Sequence, residues 1–407
     1  MNRQEGSLQF WGYERPDGSV GIRNYVVVLP MTNMESDLAL TVTREIGPAV
    51  TPIIHNNMRM RLPQDDAVAR RVLIGWGCNP NVGGIVLLSD GRNNVSPEEI
   101  GDEVAKTGKP VERVNMMAEG SYAKSLNRTL HLTRKILSKT SRMQKALCAA
   151  SRLLLSAECG PSISLNGVLG NAAVGKVFDA VISAGGRAII SETTEHIGAE
   201  HIMAERAVNE EVRKKYLALI HRKEEFLKSL KVDFRGLQPT PWNIATGIST
   251  LEEKSLGSME KGGSTPLVGV LEYGERPPAP SGLYFMDGPG MPPPLVSGLA
   301  AAGSQLRITS SGGGQGFSWR TDIGLTGGMP ISPSVYVVSL ENENEPDEGE
   351  YYDIISGVLK GTESVNQLGE RLLQEVFEAA SGKLTKQEMH QNHPSFQEIQ
   401  FLHPIIG

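Results

Sequence analysis

The sequence predicts an α/β protein with doubly wound, mainly parallel sheets in two Rossmann-like lobes. Three observations carry that expectation. Short continuous apolar runs recur: "NYVVVLPM" (24–31), "GGIVLLS" (83–89), "SRLLLSA" (151–157), "GRAIISE" (186–192), "TPLVGVLEY" (265–273) and "VYVVSL" (335–340). Their length and β-branched content suit strands buried on both faces. Helical patterns at 36–46, 64–76, 119–149, 172–184, 199–229 and 364–380 alternate with them, as a wound parallel sheet requires. Glycine, 45 of 407 residues, gathers in loops that follow apolar runs, where a backbone can approach a ligand closely.

Taken in order, Asp17, Arg23 and Asn24 immediately precede the first strand, and "VTPII" ends at His55. "SPEEIGDEVAKTG" announces a helix, with Ser96 as N-cap, Pro97 in the first helical position, Glu99 in the capping-box position and Gly108 as the stop. The basic, amphipathic stretch 119–149 reads as one connecting helix with a solvated face. It divides the chain into an N-terminal lobe, 1–148, and a C-terminal lobe, 149–407, that carries the glycine-rich loops. A polar, turn-rich connection is expected over 231–264, and the acidic "ENENEPDEGEYYD" (341–353) reads as a surface loop.

Composition excludes several classes. Apolar residues make up 39% and charged residues 21%, with a net charge of −6, which gives no electrostatic reason to expect nucleic acid. No segment approaches the roughly 20 apolar residues of a membrane span. The N-terminus has no apolar signal core, so a cytoplasmic protein is expected. Cys78, Cys148 and Cys159 are far apart and form no CxxC pair. That argues against a disulfide framework and against a metal site built from neighbouring cysteines.

The densest chemistry lies in "SETTEHIGAEHIMAER", with Glu192, Glu195, His196, Glu200, His201 and Glu205. Glu192 and Glu195 follow an apolar strand, where doubly wound sheets place ligands. Lys254, in "EEKSLG", suits a base or a cationic anchor for an acid. His55 and Asp287 also follow apolar runs. Arg23 suits bidentate binding of a carboxylate. Cys159 ends a strand and opens the loop "CGPSISLNGVLGNAAVG".

The opening "GYERPDGSVGIRNYVVVLP" resembles the large catalytic part of the altronate/galactarate dehydratase family, which includes the large subunit of sulfolactate sulfo-lyase. "CGPSISLNGVLGNAAVG", "ISETTEHIGAEHIMAERA", "NIATGISTLEEKSLGSMEKGG", "VLEYGERP", "GLYFMDGPG" and "AASGKLTKQE" follow in the family's order. The resemblance implies a lyase that eliminates water or sulfite from a small hydroxy acid, such as a sugar acid or sulfolactate, with a divalent metal such as Fe2+ or Mn2+. It also implies a large subunit, completed by a small partner of about 100 residues, in a homo-oligomer. The residues it brings forward are Lys254, Glu192, Glu195 and His55 for catalysis. Asp17, Arg23, Asn24, Ser162, Asn171, Ser310, Ser311 and Gly313 are brought forward for substrate binding, and Cys159 and Asp287 for metal.

The chain departs from the family's pattern at places where sulfur is common. Met34 replaces one cysteine, "HNNMR" brings Met58 and Arg59, and "LLSDG" brings Ser89 and Asp90. In the loop after Cys159, Pro161-Ser162-Ile163 replaces Gly-Ser-Asp. A methionine thioether is a poor ligand for hard divalent ions. Two alternatives to the metal lyase follow: a non-catalytic binding or regulatory paralogue, and a metal-independent elimination using Lys254 or a glutamate as base with Arg23 holding the carboxylate.

Overall fold

The apolar runs fold as parallel strands, and the computed structural model describes them within residues 8–313, 328–341, 348–391 and 396–403. The first half contains β1 (Gln9–Glu14), β2 (Val20–Gly21), β3 (Tyr25–Pro30), α1 (Ser36–Ile46), β4 (Val50–Pro52), α2 (Pro63–Cys78), β5 (Val82–Ser89), α3 (Pro97–Ala105), β6 (Val111–Asn115), α4 (Met116–Glu119), α5 (Tyr122–Thr140) and β7 (Ala146–Ala149). The second contains β8 (Leu154–Cys159), α6 (Gly170–Ser183), β9 (Arg187–Ile190), α7 (Glu200–Glu205), α8 (Glu210–Ser229), α9 (Pro241–Ala245), α10 (Leu251–Met259), β10 (Leu267–Leu271), β11 (Gly282–Met286), α11 (Pro292–Ala301), β12 (Leu306–Gly313), β13 (Ser334–Leu340), β14 (Ile354–Ile355), α12 (Val365–Ala380) and α13 (Lys386–Met389).

Two sheets are wholly parallel. One has the order β4-β3-β5-β6 and the other β10-β11-β9-β8-β12-β13-β14. A small antiparallel sheet, β2-β1-β7, joins the start of the chain to the strand after α5. Side-chain alternation sorts the core into layers. Val26, Val28, Val86 and Leu88 face α1 and α5. Val27, Leu29, Ile85 and Leu87 face α2, which also packs on α11. Ile189, Tyr284 and Met286 on the seven-stranded sheet share that middle layer, whereas Leu155, Ile190, Phe285 and Val337 pack on the side of α6, α8 and α12. One continuous apolar layer therefore belongs to both lobes. Trp76 of α2 is fully buried in it and donates to Ser297 O at 2.9 Å.

The expected 119–149 helix is instead α4, a break and α5. Gly120 takes a left-handed φ of 78°, and the Ser121 hydroxyl accepts from Lys124 N to start the next helix. The 199–229 pattern breaks likewise, where Val208 N donates to Leu267 O and Asn209 caps α8. The connection at 231–264 carries α9 and α10, the latter capped by Thr250. At the end of the chain, residues 396–403 return to the first lobe. Ile399 N donates to Asn56 Oδ1 at 2.9 Å and Leu402 N to Asp65 Oδ1 at 3.0 Å. Residues 342–347 of the acidic 341–353 segment lie outside the described residues.

Candidate functional site

In the seven-stranded sheet the strand order reverses between β8 and β12, the crevice where open α/β sheets bind ligands. Cys159 ends β8 there. Glu192, just beyond β9, adopts a left-handed φ of 70° and reaches back so that its Oε1 accepts from Cys159 N at 3.0 Å. A non-glycine residue in that conformation costs about 1–3 kcal/mol and persists only where its surroundings hold it. Here the holder is Lys261, in the short turn Glu260–Gly262 after α10. Its ammonium donates to Cys159 Sγ at 2.8 Å and pairs with the Glu192 carboxylate. Beside this pair, Lys254 of α10 meets Glu195 at 3.2 Å and donates to Gln238 Oε1 at 2.7 Å.

These charges set one another's protonation. Burial, aided by Glu192 and opposed by Lys261, pushes the Cys159 thiol up to about 12. Burial opposes the Lys261 ammonium, but Cys159, Glu192 and Glu195 outweigh it and keep the group protonated. Burial also opposes the Glu195 carboxylate, yet Lys254 and then Lys261 hold it below the usual glutamate range. Burial raises Glu192 despite Lys261, because Glu195 adds a like charge nearby. The cluster thus holds one firmly ionised carboxylate and one that takes up a proton more readily.

Around it lie neutral hydrogen-bonding groups. Asn171, in the first turn of α6, donates to Gly257 O at 2.7 Å, and its amide lies 4.0 Å from Cys159 Sγ. Ser310 of β12 and Ser339 of β13 both donate to Asn166 Oδ1, at 3.3 and 2.5 Å. Cys159, Ser162, Ser164, Asn171, Lys254 and Ser258 line a cavity of about 20 Å3, room for about one water molecule. Its cover is the α9–α10 segment, tied down by Asn243 Nδ2 to Ser162 O at 2.9 Å.

Other residues named from the sequence lie elsewhere. His55 belongs to the first lobe, where Nε2 meets Pro30 O at 2.8 Å and Nδ1 accepts from Asn57 N, so both ring nitrogens are engaged. Arg23 is committed to Glu388, which it meets at 2.6 Å, and to the carbonyls of Ile22, Ala379 and Lys383. It clamps the chain's two ends together and has no donor left for a substrate. Asn24 is held by Arg15 and Thr140 O, and exposed Asp17 accepts from Ser19. Asp287 accepts from Thr193 Oγ1 at 2.7 Å and pairs with Arg222 at 3.0 Å. His201 and Glu205 are exposed. Ser311 and Gly313 are buried at the end of strand β12, and Gly314 and Gln315 of the same glycine run lie outside the described residues. Sequence reasoning missed Lys261 altogether, since "EKGG" carries no local sign of a partner in β8 or β9.

The metal expectation meets a specific obstacle. Among the described residues, Cys159, Glu192 and Glu195 present donor atoms within 4.8 Å of one another, and Asp287 is not part of the group. The Lys261 ammonium already sits on two of the three donors. In this arrangement the set does not fit a divalent ion, which would have to displace a buried lysine. In the first lobe, the changed positions Arg59 and Asp90 form an ion pair at 3.2 Å. A cation and an anion of the chain's own therefore meet where the resemblance implied sulfur.

Comparison with known proteins adds an independent line. Residues 150–401 match the family described as D-galactarate/altronate dehydratase, C-terminal, and residues 12–141 match D-galactarate dehydratase/altronate hydrolase, second domain. The chain is 32% identical to (2R)-sulfolactate sulfo-lyase subunit beta of Chromohalobacter salexigens, over 93% of this chain and 94% of that one. It is 30% identical to altronate dehydratase of Bacillus subtilis, over 76% of this chain and 63% of that one. It is 27% identical to galactarate dehydratase (L-threo-forming) of Escherichia coli, over 92% of this chain and 73% of that one.

Proposed function

The chain belongs to the D-galactarate/altronate dehydratase family, whose named members here are dehydratases and a sulfo-lyase, and on that premise we propose that it eliminates water or sulfite from a small hydroxy acid. The single observation that carries the reading is the cysteine–glutamate–lysine cluster at the carboxyl ends of β8 and β9. Packing alone does not call for two lysines and two glutamates in one buried place, since each unpaired charge there costs several kcal/mol.

Elimination needs an anchor for the substrate carboxylate, a base for a carbon-bound proton and a donor to the leaving group. Lys254 lines the cavity and is bound to Glu195. The cavity holds about one water molecule as it stands, so the α9–α10 cover has to open to admit the acid, whose carboxylate then competes for that ammonium. As Lys254 turns toward the substrate, Glu195 loses the charge that stabilises its anion and becomes the stronger base. The Glu195 carboxylate then takes the proton from the carbon beside the substrate carboxylate. The electron pair left behind forms the carbon–carbon double bond as the leaving group departs; sulfite leaves as the anion, and hydroxide leaves as water with the proton that Glu195 has taken up. The enol product becomes the 2-keto acid. Lys261 stays fixed by Glu192, with its ammonium beside the developing enolate. Ser162 and Asn171 line the same cavity, and in this reading they bind substrate hydroxyls. No metal ion is needed for these steps.

The name of the Chromohalobacter relative, subunit beta, supports a role as the large subunit of a two-part enzyme. The test is turnover of hexonates, hexarates and sulfolactate under anaerobic conditions, with the candidate small partner added. Release of a 2-keto acid, or of pyruvate with sulfite, is expected from one of them. No turnover of any of these acids would contradict the reading.

A further inference from the structure

A second site lies at the other end of the seven-stranded sheet. Where β8, β9 and β12 begin, a cavity of about 340 Å3 opens between the lobes, a size that suits a small ligand. Arg152, Arg187 and Arg276 line it from the second lobe, and Asp17 and Ser19 line it from the first. The three arginines come from separate places in the chain: the turn before β8, the first residue of β9 and the loop after β10.

What they share is one cavity in which, among the described residues, no carboxylate pairs with them. Arg23, Arg113, Arg222 and Arg307 each meet a carboxylate. Among the described residues, Arg152, Arg187 and Arg276 meet none. Arg187 donates only to Pro277 O and Pro278 O, at 3.4 and 3.2 Å. Arg152 donates to Gly18 O. Arg276 lies over Gly303, where a β-carbon would stand 3.5 Å from its Nε. Asp17, the acidic residue lining the cavity, is occupied with the Ser19 amide and hydroxyl at 2.9 and 2.7 Å. Burial, opposed by Tyr284 and reinforced in small part by Arg276, holds Arg187 below its ordinary value. Three converging guanidinium groups against one engaged carboxylate leave a cavity with excess positive charge. Guanidinium forks bind carboxylate and phosphate oxygens bidentately.

We propose that this interlobe cavity binds a small dianion, bearing two carboxylates or one phosphate, held by Arg187 and Arg276 with Arg152 at the rim. The ligand bridges the lobes on the side away from Cys159 and Glu192, so it is an effector or a second substrate-like acid rather than the reacting molecule.

Isothermal titration calorimetry on the full chain tests this with inorganic phosphate, succinate and acetate, at ionic strength fixed with sodium chloride. At least one of the two dianions should bind saturably at one per chain, and acetate should bind about tenfold more weakly or not at all. Which dianion binds more tightly identifies the phosphate or the carboxylate source. Arg276 is exposed, so Arg276→Gln keeps the fold and should weaken binding at least about tenfold. Asp17→Asn removes the one opposing charge and should tighten it. No saturable binding of either dianion would overturn the proposal, as would an affinity unchanged in Arg276→Gln.

Discussion

Two histidines show how burial at single residues reaches a measurable property. Burial first of all holds His55 down to about 4 and His196 to about 3. In an unfolded chain histidine titrates near 6.5. Between that value and about 3–4 the unfolded state binds protons that the folded state does not, so stability falls as pH falls through this window. Each histidine contributes on the order of 3 kcal/mol across it. Glu192, raised by burial, acts in the opposite sense as the pH falls, so the histidine effect is best read as a difference between variants. Urea midpoints at pH 7.5 and 4.5 should separate widely in the wild type and less in His55→Gln. Equal separations in the two proteins would show that His55 does not contribute.

At the scale of elements, the feature with most consequence is the cover formed by α9 and α10. Gly167, in the loop after β8, abuts Gly257 of α10, and a β-carbon on Gly167 would stand 2.8 Å from the Gly257 Cα. Backbone on both sides leaves no flexible end to give way, so Gly167→Ala must push α10 outward. It should cost about 1–3 kcal/mol in stability. By shifting Lys254 it should also raise KM for the acid substrate more than it lowers kcat. A KM equal to that of the wild type would show that the cover plays no part in binding. Element type was legible in the sequence wherever burial was two-sided: β3, β5 and β13 follow directly from their apolar runs, and the limits of α1 match the expected 36–46. It failed for β12, whose "LRITSSGG" reads as polar because Arg307 and Thr309 are buried against Glu158. It failed for α11 because "PPPLVSGLAA" opens on prolines, which the first helical turn tolerates. In the site, Cys159, Glu192, Glu195 and Lys254 were legible because each follows a strand or sits in a recognisable string. Lys261 was not, since its significance comes from a partner 102 residues away.

For the molecule as a whole, the middle layer of α2 and α11 ties the two lobes into one cooperative body. Gly75 lets α2 approach the Ala301 backbone, where no β-carbon would fit. Trp76, Leu295 and Leu299 are fully buried between the sheets. Arg23 and Glu388 fasten the start of the chain to α13. Two lobes that share a core should unfold together, so tryptophan fluorescence and far-ultraviolet circular dichroism should give coincident transitions. Two separated transitions would mean that the lobes are independent.

At the same scale, the account rests on the cluster at the β8–β12 crevice moving a carbon-bound proton. The most direct measurement is proton NMR of an acid substrate incubated with the protein in D2O. It follows loss of the signal from the carbon beside the carboxylate, in the wild type and in Glu195→Gln. The account predicts washout by the wild type and a loss of about 10²–10⁴-fold in the variant, with an unchanged circular dichroism spectrum. Washout by Glu195→Gln at the wild-type rate would contradict it.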